Sequence, residues 1–144
     1  MRRIVVLLLL AVVGLAAPAD AAGPTCSGRP VTVRLGAGQR PTDGNDVILG
    51  TPGDDRIRAK AGTDWVCAGG GDDLVYASTG ADRVWGQSGD DVLYGGPGND
   101  RLYGGKGGDY TGGSGGVDHC DVGPSDPDNE GDPSCETGSG APAT

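Results

Sequence analysis

The sequence predicts an all-β chain wound into a solenoid, with two sheets of short parallel strands and eighteen residues per coil. Three observations predict it. A nine-residue pattern repeats nine times without an insertion between Pro41 and Asp121. Glycine, aspartate and an apolar residue hold fixed places within that pattern. The 144 residues include 30 glycines and no phenylalanine, too little apolar bulk for an ordinary globular core.

The N-terminus comes first. Arg2 and Arg3 precede an apolar run from Ile4 to Ala17, and small residues follow at Ala17-Pro18-Ala19 and Ala19-Asp20-Ala21. This is the pattern of a signal peptide over 1–21. The run is shorter than the roughly 20 residues of a membrane span, so no span is expected in the mature chain. Residues 22–40 carry the alternating stretch Val31 to Leu35 and are expected to cap the solenoid, because terminal coils need a cover.

The repeats occupy 41–121. Written in rows of nine they read PTDGNDVIL, GTPGDDRIR, AKAGTDWVC, AGGGDDLVY, ASTGADRVW, GQSGDDVLY, GGPGNDRLY, GGKGGDYTG and GSGGVDHCD. Position four is glycine in every row, from Gly44 to Gly116. Position six is always aspartate: Asp46, Asp55, Asp64, Asp73, Asp82, Asp91, Asp100, Asp109 and Asp118. Position eight is apolar from Ile48 to Leu102, then Thr111 and Cys120. A flexible linker has no such fixed phase. The glycine suits a tight turn, and a three-residue strand follows with position eight inward and positions seven and nine outward. A single short strand cannot bury its face, so row n is expected to stack on row n+2 at about 4.8 Å.

Stacking aligns the aspartates. Asp46, Asp64, Asp82, Asp100 and Asp118 line one edge, and Asp55, Asp73, Asp91 and Asp109 the other. Carboxylates at strand spacing repel by on the order of 1 kcal/mol in water and several times more in a less polar setting. A hard divalent cation removes the repulsion, and calcium accepts carboxylate and carbonyl oxygens together. Adjacent pairs give four ions on the first edge and three on the second, so at most about seven.

The pattern resembles the RTX, or hemolysin-type, calcium-binding nonapeptide repeat, G-G-x-G-x-D-x-U-x. Gly95 to Tyr103 matches it at every defined position. Rows one, three and five depart from it at their first two positions. The resemblance implies a right-handed parallel β-roll with calcium as its cofactor. It makes the nine position-six aspartates, with carbonyls of the adjoining turns, the metal ligands.

The segment 122–144 is acidic and rich in proline and glycine. Asp126, Asp128, Glu130 and Gly131 fit the start of an EF-hand loop, but Thr137 stands where the closing glutamate belongs. Pro127 and Pro133 also argue against flanking helices, so a solvated acidic loop is expected. Four cysteines allow three pairings. Cys120 is inward on the last row and is expected to pair with Cys135; Cys67 is expected to reach Cys26 in the cap.

His119 is the only histidine, and neither H-E-x-x-H nor G-x-S-x-G occurs, so no enzyme is expected. A net charge of -9 argues against nucleic acid and anionic membranes as partners. The outward rings pair at eighteen-residue spacing, Trp85 with Tyr103 and Tyr76 with Tyr94, while Trp65 lies beside Arg83. Cross-strand support is the expected role. The alternative is an extracellular adhesion module with a protein or glycan partner, in which calcium is only structural. The sequence as a whole points to a secreted, extracellular protein that binds calcium ions and folds on binding them.

Overall fold

A computed structural model of the chain describes residues 24–124. The expected signal peptide, Cys135 and the acidic loop after Pro124 lie outside the described residues. Among the described residues there is no α-helix, only a 3-10 turn at Leu35–Ala37. No helix among them is long and apolar enough to cross a membrane.

The chain enters through a small antiparallel hairpin, β1 (Thr25–Cys26) and β2 (Arg29–Pro30). Two parallel sheets follow. The first contains β3 (Val33–Arg34), β4 (Val47–Leu49), β6 (Trp65–Gly70), β8 (Arg83–Ser88), β10 (Arg101–Lys106) and β12 (His119–Asp121), neighbours in that order. The second contains β5 (Arg56–Arg58), β7 (Leu74–Tyr76), β9 (Val92–Pro97) and β11 (Tyr110–Gly115). Odd rows build the first sheet and even rows the second. Val47 faces Trp65, Trp65 faces Arg83, and Arg101 faces both Arg83 and His119. Equivalent residues thus pair at a spacing of eighteen, as the period requires.

Position eight fills the space between the sheets. Ile48, Val66, Val84, Leu102 and Cys120 come from one sheet and Ile57, Val75, Leu93 and Thr111 from the other, all buried. Ala59, Ala68 and Ala77 at position one join them. Inward direction follows from the two-residue pleat: positions six, eight and one of the next row alternate to the same side. Val33 is buried and pairs with Ile48, so β3 extends the six-stranded sheet at its N-terminal end.

The expectation of three-residue strands needs correction. Five strands run for six residues, through positions one to three of the next row. The ladder continues there, with Gly69 opposite Gln87 and Gln87 opposite Gly105. Stacked coils follow one path, so glycine-rich stretches pair with their equivalents although glycine is weak in isolated strands.

Cys26 and Cys67 form a disulfide with Cα atoms 5.7 Å apart, tying the hairpin to β6 as expected. Cys120 holds its inward place opposite Leu102. The outer faces carry the expected ring pairs. Trp85 stacks on Tyr103 at 5.7 Å and 11°, and Tyr76 on Tyr94 at 5.1 Å and 15°. Arg83 lies 4.9 Å and Arg29 4.0 Å from the Trp65 ring centroid.

Candidate metal centre

Each position-six aspartate follows a turn and precedes a strand. The first stack, Asp46 to Asp118, runs beside the six-stranded sheet, and the second, Asp55 to Asp109, beside the four-stranded one. Eight of the nine are buried and Asp55 is half-buried. They therefore turn inward at the corners of the roll rather than lining an exposed rim.

One carboxylate oxygen has a structural task. Asp64 Oδ1 accepts the amide N–H of Asp46 at 2.8 Å, and Asp82 Oδ1 accepts that of Asp64 at 2.7 Å. The first stack continues through Asp100 and Asp118 at 2.8 Å each. On the second, Asp73, Asp91 and Asp109 accept from Asp55, Asp73 and Asp91 at 2.8, 2.8 and 2.9 Å. Every such bond reaches back one coil. The sequence did not reveal this ladder, because spacing places the residues without fixing their rotamers.

The other oxygen is different. Oδ2 of Asp64, Asp73, Asp82, Asp91, Asp100 and Asp118 is buried and meets no hydrogen-bond donor. Position-one glycine makes room for it: a Cβ on Gly86, Gly95 or Gly113 would collide with Oδ2 of Asp91, Asp100 or Asp118. Burial pushes Asp64, Asp73 and Asp91 up to about 6 and Asp100 up to about 7, and it also raises Asp82. The amide bond from the preceding coil partly offsets this in each case. Neighbouring carboxylates add a further upward push on Asp64, Asp73, Asp91 and Asp100.

These corners fit a hard cation. An unpaired buried carboxylate oxygen is costly and a positive ion satisfies it. Among the described residues no three His, Cys, Asp or Glu side chains cluster closely enough to hold a metal by themselves. Backbone oxygens would have to complete the shell, and the turns supply them. A Cβ on Gly80, Gly98 or Gly116 would collide with the carbonyl oxygen of Gly62, Gly80 or Gly98, so these carbonyls face the next turn of their stack. An all-oxygen set of carboxylates and carbonyls suits calcium and offers nothing to a thiol-seeking or imidazole-seeking metal.

Position five forms a second ladder. Asp54 Oδ1 accepts the Asp72 amide at 2.9 Å, Asp72 that of Asp90 at 2.9 Å, and Asp90 that of Gly108 at 2.8 Å. These carboxylates are exposed. Their direction is opposite to that of position six, since each reaches forward one coil. On the other edge Asn45 and Asn99 do the same for Thr63 and Val117 at 2.8 and 3.0 Å.

The family model of the RTX calcium-binding nonapeptide repeat (4 copies) matches residues 41–75 and again 76–111. No curated protein and no solved structure gives a match to the chain. The ninth row, beyond the second match, is assigned by its register, with Cys120 opposite Leu102.

Proposed function

Because residues 41–111 of this chain belong to the RTX calcium-binding nonapeptide-repeat family, we propose that the protein is an exported calcium-binding β-roll that folds when the ion binds. The six buried Oδ2 atoms without a donor carry this proposal. In the absence of a cation the roll buries a row of unpaired carboxylates at each corner, at a cost its thin core of small aliphatic side chains cannot easily offset. Calcium, when bound, supplies the missing positive charge. The position-six aspartates are then its carboxylate ligands, and the carbonyls of the adjoining turns complete the shell. A site that does not exist in the unfolded chain makes ion affinity part of the folding free energy.

The organisation that goes with this function is a leader over 1–21 removed on export, a cap over 22–40, the roll over 41–121 and an acidic tail over 122–144. Export agrees with the leader pattern and with the Cys26–Cys67 disulfide, which persists in oxidising compartments. The role is binding rather than catalysis. The stacked rings favour support over a glycan platform, because Trp85 and Tyr103 cover each other's faces.

Far-ultraviolet circular dichroism of the mature chain, with calcium and with a chelator, tests the proposal. Chelation should remove most of the β-signal, and calcium should restore it cooperatively at roughly 10⁻⁴ to 10⁻³ M. A chelated sample with the spectrum and thermal stability of the loaded one would overturn it.

A further inference from the structure

The first turn on each edge differs from the seven that follow. In rows three to nine the residue at position two has positive φ, even where it is not glycine. Lys60, Ser78, Gln87 and Ser114 lie between 84° and 89°. The position-four glycines of the same rows lie between 91° and 150°. In rows one and two neither Thr42 nor Thr51, and neither Gly44 nor Gly53, has positive φ. Threonine explains the change. Its β-branch makes the left-handed region especially costly, so these two rows cannot adopt the turn of the others.

The altered turn redirects a donor onto the aspartate. Asp46 Oδ2 accepts the Thr42 amide at 2.7 Å and the Thr42 hydroxyl at 3.0 Å, and its Oδ1 accepts from the Thr32 hydroxyl at 3.4 Å. Asp55 Oδ2 accepts the Thr51 amide at 2.6 Å. Each threonine hydroxyl also takes the amide of its position-four glycine, Gly44 at 3.2 Å and Gly53 at 3.3 Å. The oxygen left without a donor in Asp64, Asp73, Asp82, Asp91, Asp100 and Asp118 is thus occupied in Asp46 and Asp55. A cation at either residue would have to displace these bonds and strand the threonine amide.

We infer that Asp46 and Asp55 are not calcium ligands, and that two threonine-locked turns close the N-terminal end of the roll without an ion. The inference rests on the calcium-binding role proposed above and narrows it. Calcium is confined to the gaps between rows three and five, five and seven, seven and nine, four and six, and six and eight. That is at most about five ions rather than about seven. Row one, and row three above it, are also tied to the cap independently of calcium. Thr32 and Val47 exchange backbone and hydroxyl bonds at 2.8 and 2.9 Å, and Cys26 is bonded to Cys67. This end should therefore remain structured in a chelator.

Two measurements on the full mature chain test this. Calorimetric titration with calcium counts ions in the wild type, in Asp46→Asn with Asp55→Asn, and in Asp73→Asn with Asp91→Asn. The first pair should leave the count unchanged, and the second should lower it by at least two. A count near seven in the wild type, or a loss of two ions in the Asp46/Asp55 variant, would overturn the inference while leaving the calcium-binding role intact. A wild type that binds no calcium would overturn both. Hydrogen exchange in chelator is the second readout and needs no variant. The Thr42 and Thr51 amides should exchange at least tenfold more slowly than those of rows five to nine. Equal rates would refute the lock even if every variant folded poorly.

Discussion

Lowering the pH from 7 to 4.5 in the presence of a chelator should fold the roll rather than unfold it. Asp64, Asp73 and Asp91 sit at about 6 and Asp100 at about 7 in the ion-free fold, against an ordinary 3.8. Burial is the main cause. A carboxyl whose folded value is raised holds its proton in the fold where the unfolded chain has lost it. Folded-state stability from these groups is therefore fully present below about 4, declines as pH rises through 6 to 7, and is flat above. Raising one carboxyl from 3.8 to about 6 corresponds to about 3 kcal/mol against its charged form, and to more for Asp100. All four push in the same direction, so the ion-free roll carries its largest charge cost at neutral pH and loses that cost on protonation.

The assay is a circular-dichroism titration of the chelated protein from pH 8 to 4, followed by the same titration with millimolar calcium. β-Signal should rise as pH falls through 7 to 5 in chelator. With calcium it should already be high at pH 7, and calcium affinity should fall across the same window, because the ligands must be deprotonated to bind. Asp100→Asn imitates the protonated group and should shift the ion-free folding midpoint to higher pH. A chelated protein that gains no β-structure on acidification, or an Asp100→Asn variant with the wild-type midpoint, would refute the reasoning.

Three further outcomes are expected. Reducing Cys26–Cys67, or changing both residues to serine, should cost about 4 kcal/mol by chain entropy for a separation of 41 residues, read as a lowered midpoint in calcium-loaded denaturant titrations. Replacing Asp54, Asp72 and Asp90 together by asparagine keeps the Oδ1 acceptor that Asn45 and Asn99 already supply on the other edge. It should therefore weaken calcium binding through lost charge alone, more at low salt than at high salt, whereas Asp73→Ala with Asp91→Ala should abolish binding at the gaps between rows four and six and rows six and eight; calorimetry at two salt concentrations separates the two effects. Gly98→Ala sets a Cβ against the Gly80 carbonyl at a positive φ of 150°, so it should destabilise the loaded roll by several kcal/mol in thermal melts, while Gly53→Ala, which meets nothing within 4 Å, should be nearly silent.

The sheet register was legible because a period of nine with one apolar phase admits a single stacking, and Val47 opposite Trp65 opposite Arg83 follows from it. The ring pairs were legible for the same reason, since residues eighteen apart must be neighbours, whereas the Cys26–Cys67 bridge, with a separation of 41, was legible only from the outward place of Cys67 on row three near the cap. The inward turn of the aspartates was within reach, as positions six and eight share parity, yet the acidic side chain argued for an edge. Tertiary context overrode that preference, because the amide one coil back needs an acceptor. The six-residue strands were hidden because glycine at positions one and two signals a turn locally and pairs only when an identical stretch lies beside it. Thr42 and Thr51 were visible all along as β-branched residues at position two. What sequence could not show is that their amides reach Oδ2 of Asp46 and Asp55.

The two ladders explain why one fold can answer to a proton and to a cation alike. Position-six carboxylates reach back one coil and position-five side chains reach forward, so turns in the middle of the even-row edge are tied to both neighbours before any ion arrives. Register and strand spacing are therefore fixed by amide bonds and by the position-eight core, not by the ion. What remains unsettled at Asp64, Asp73, Asp82, Asp91, Asp100 and Asp118 is charge, concentrated on an oxygen with no donor. A proton added to Oδ2 would neutralise it, and so, under the proposed function, would calcium shared with the neighbouring carbonyls. Under the proposed function calcium takes that place at neutral pH, where the oxygen has lost its proton.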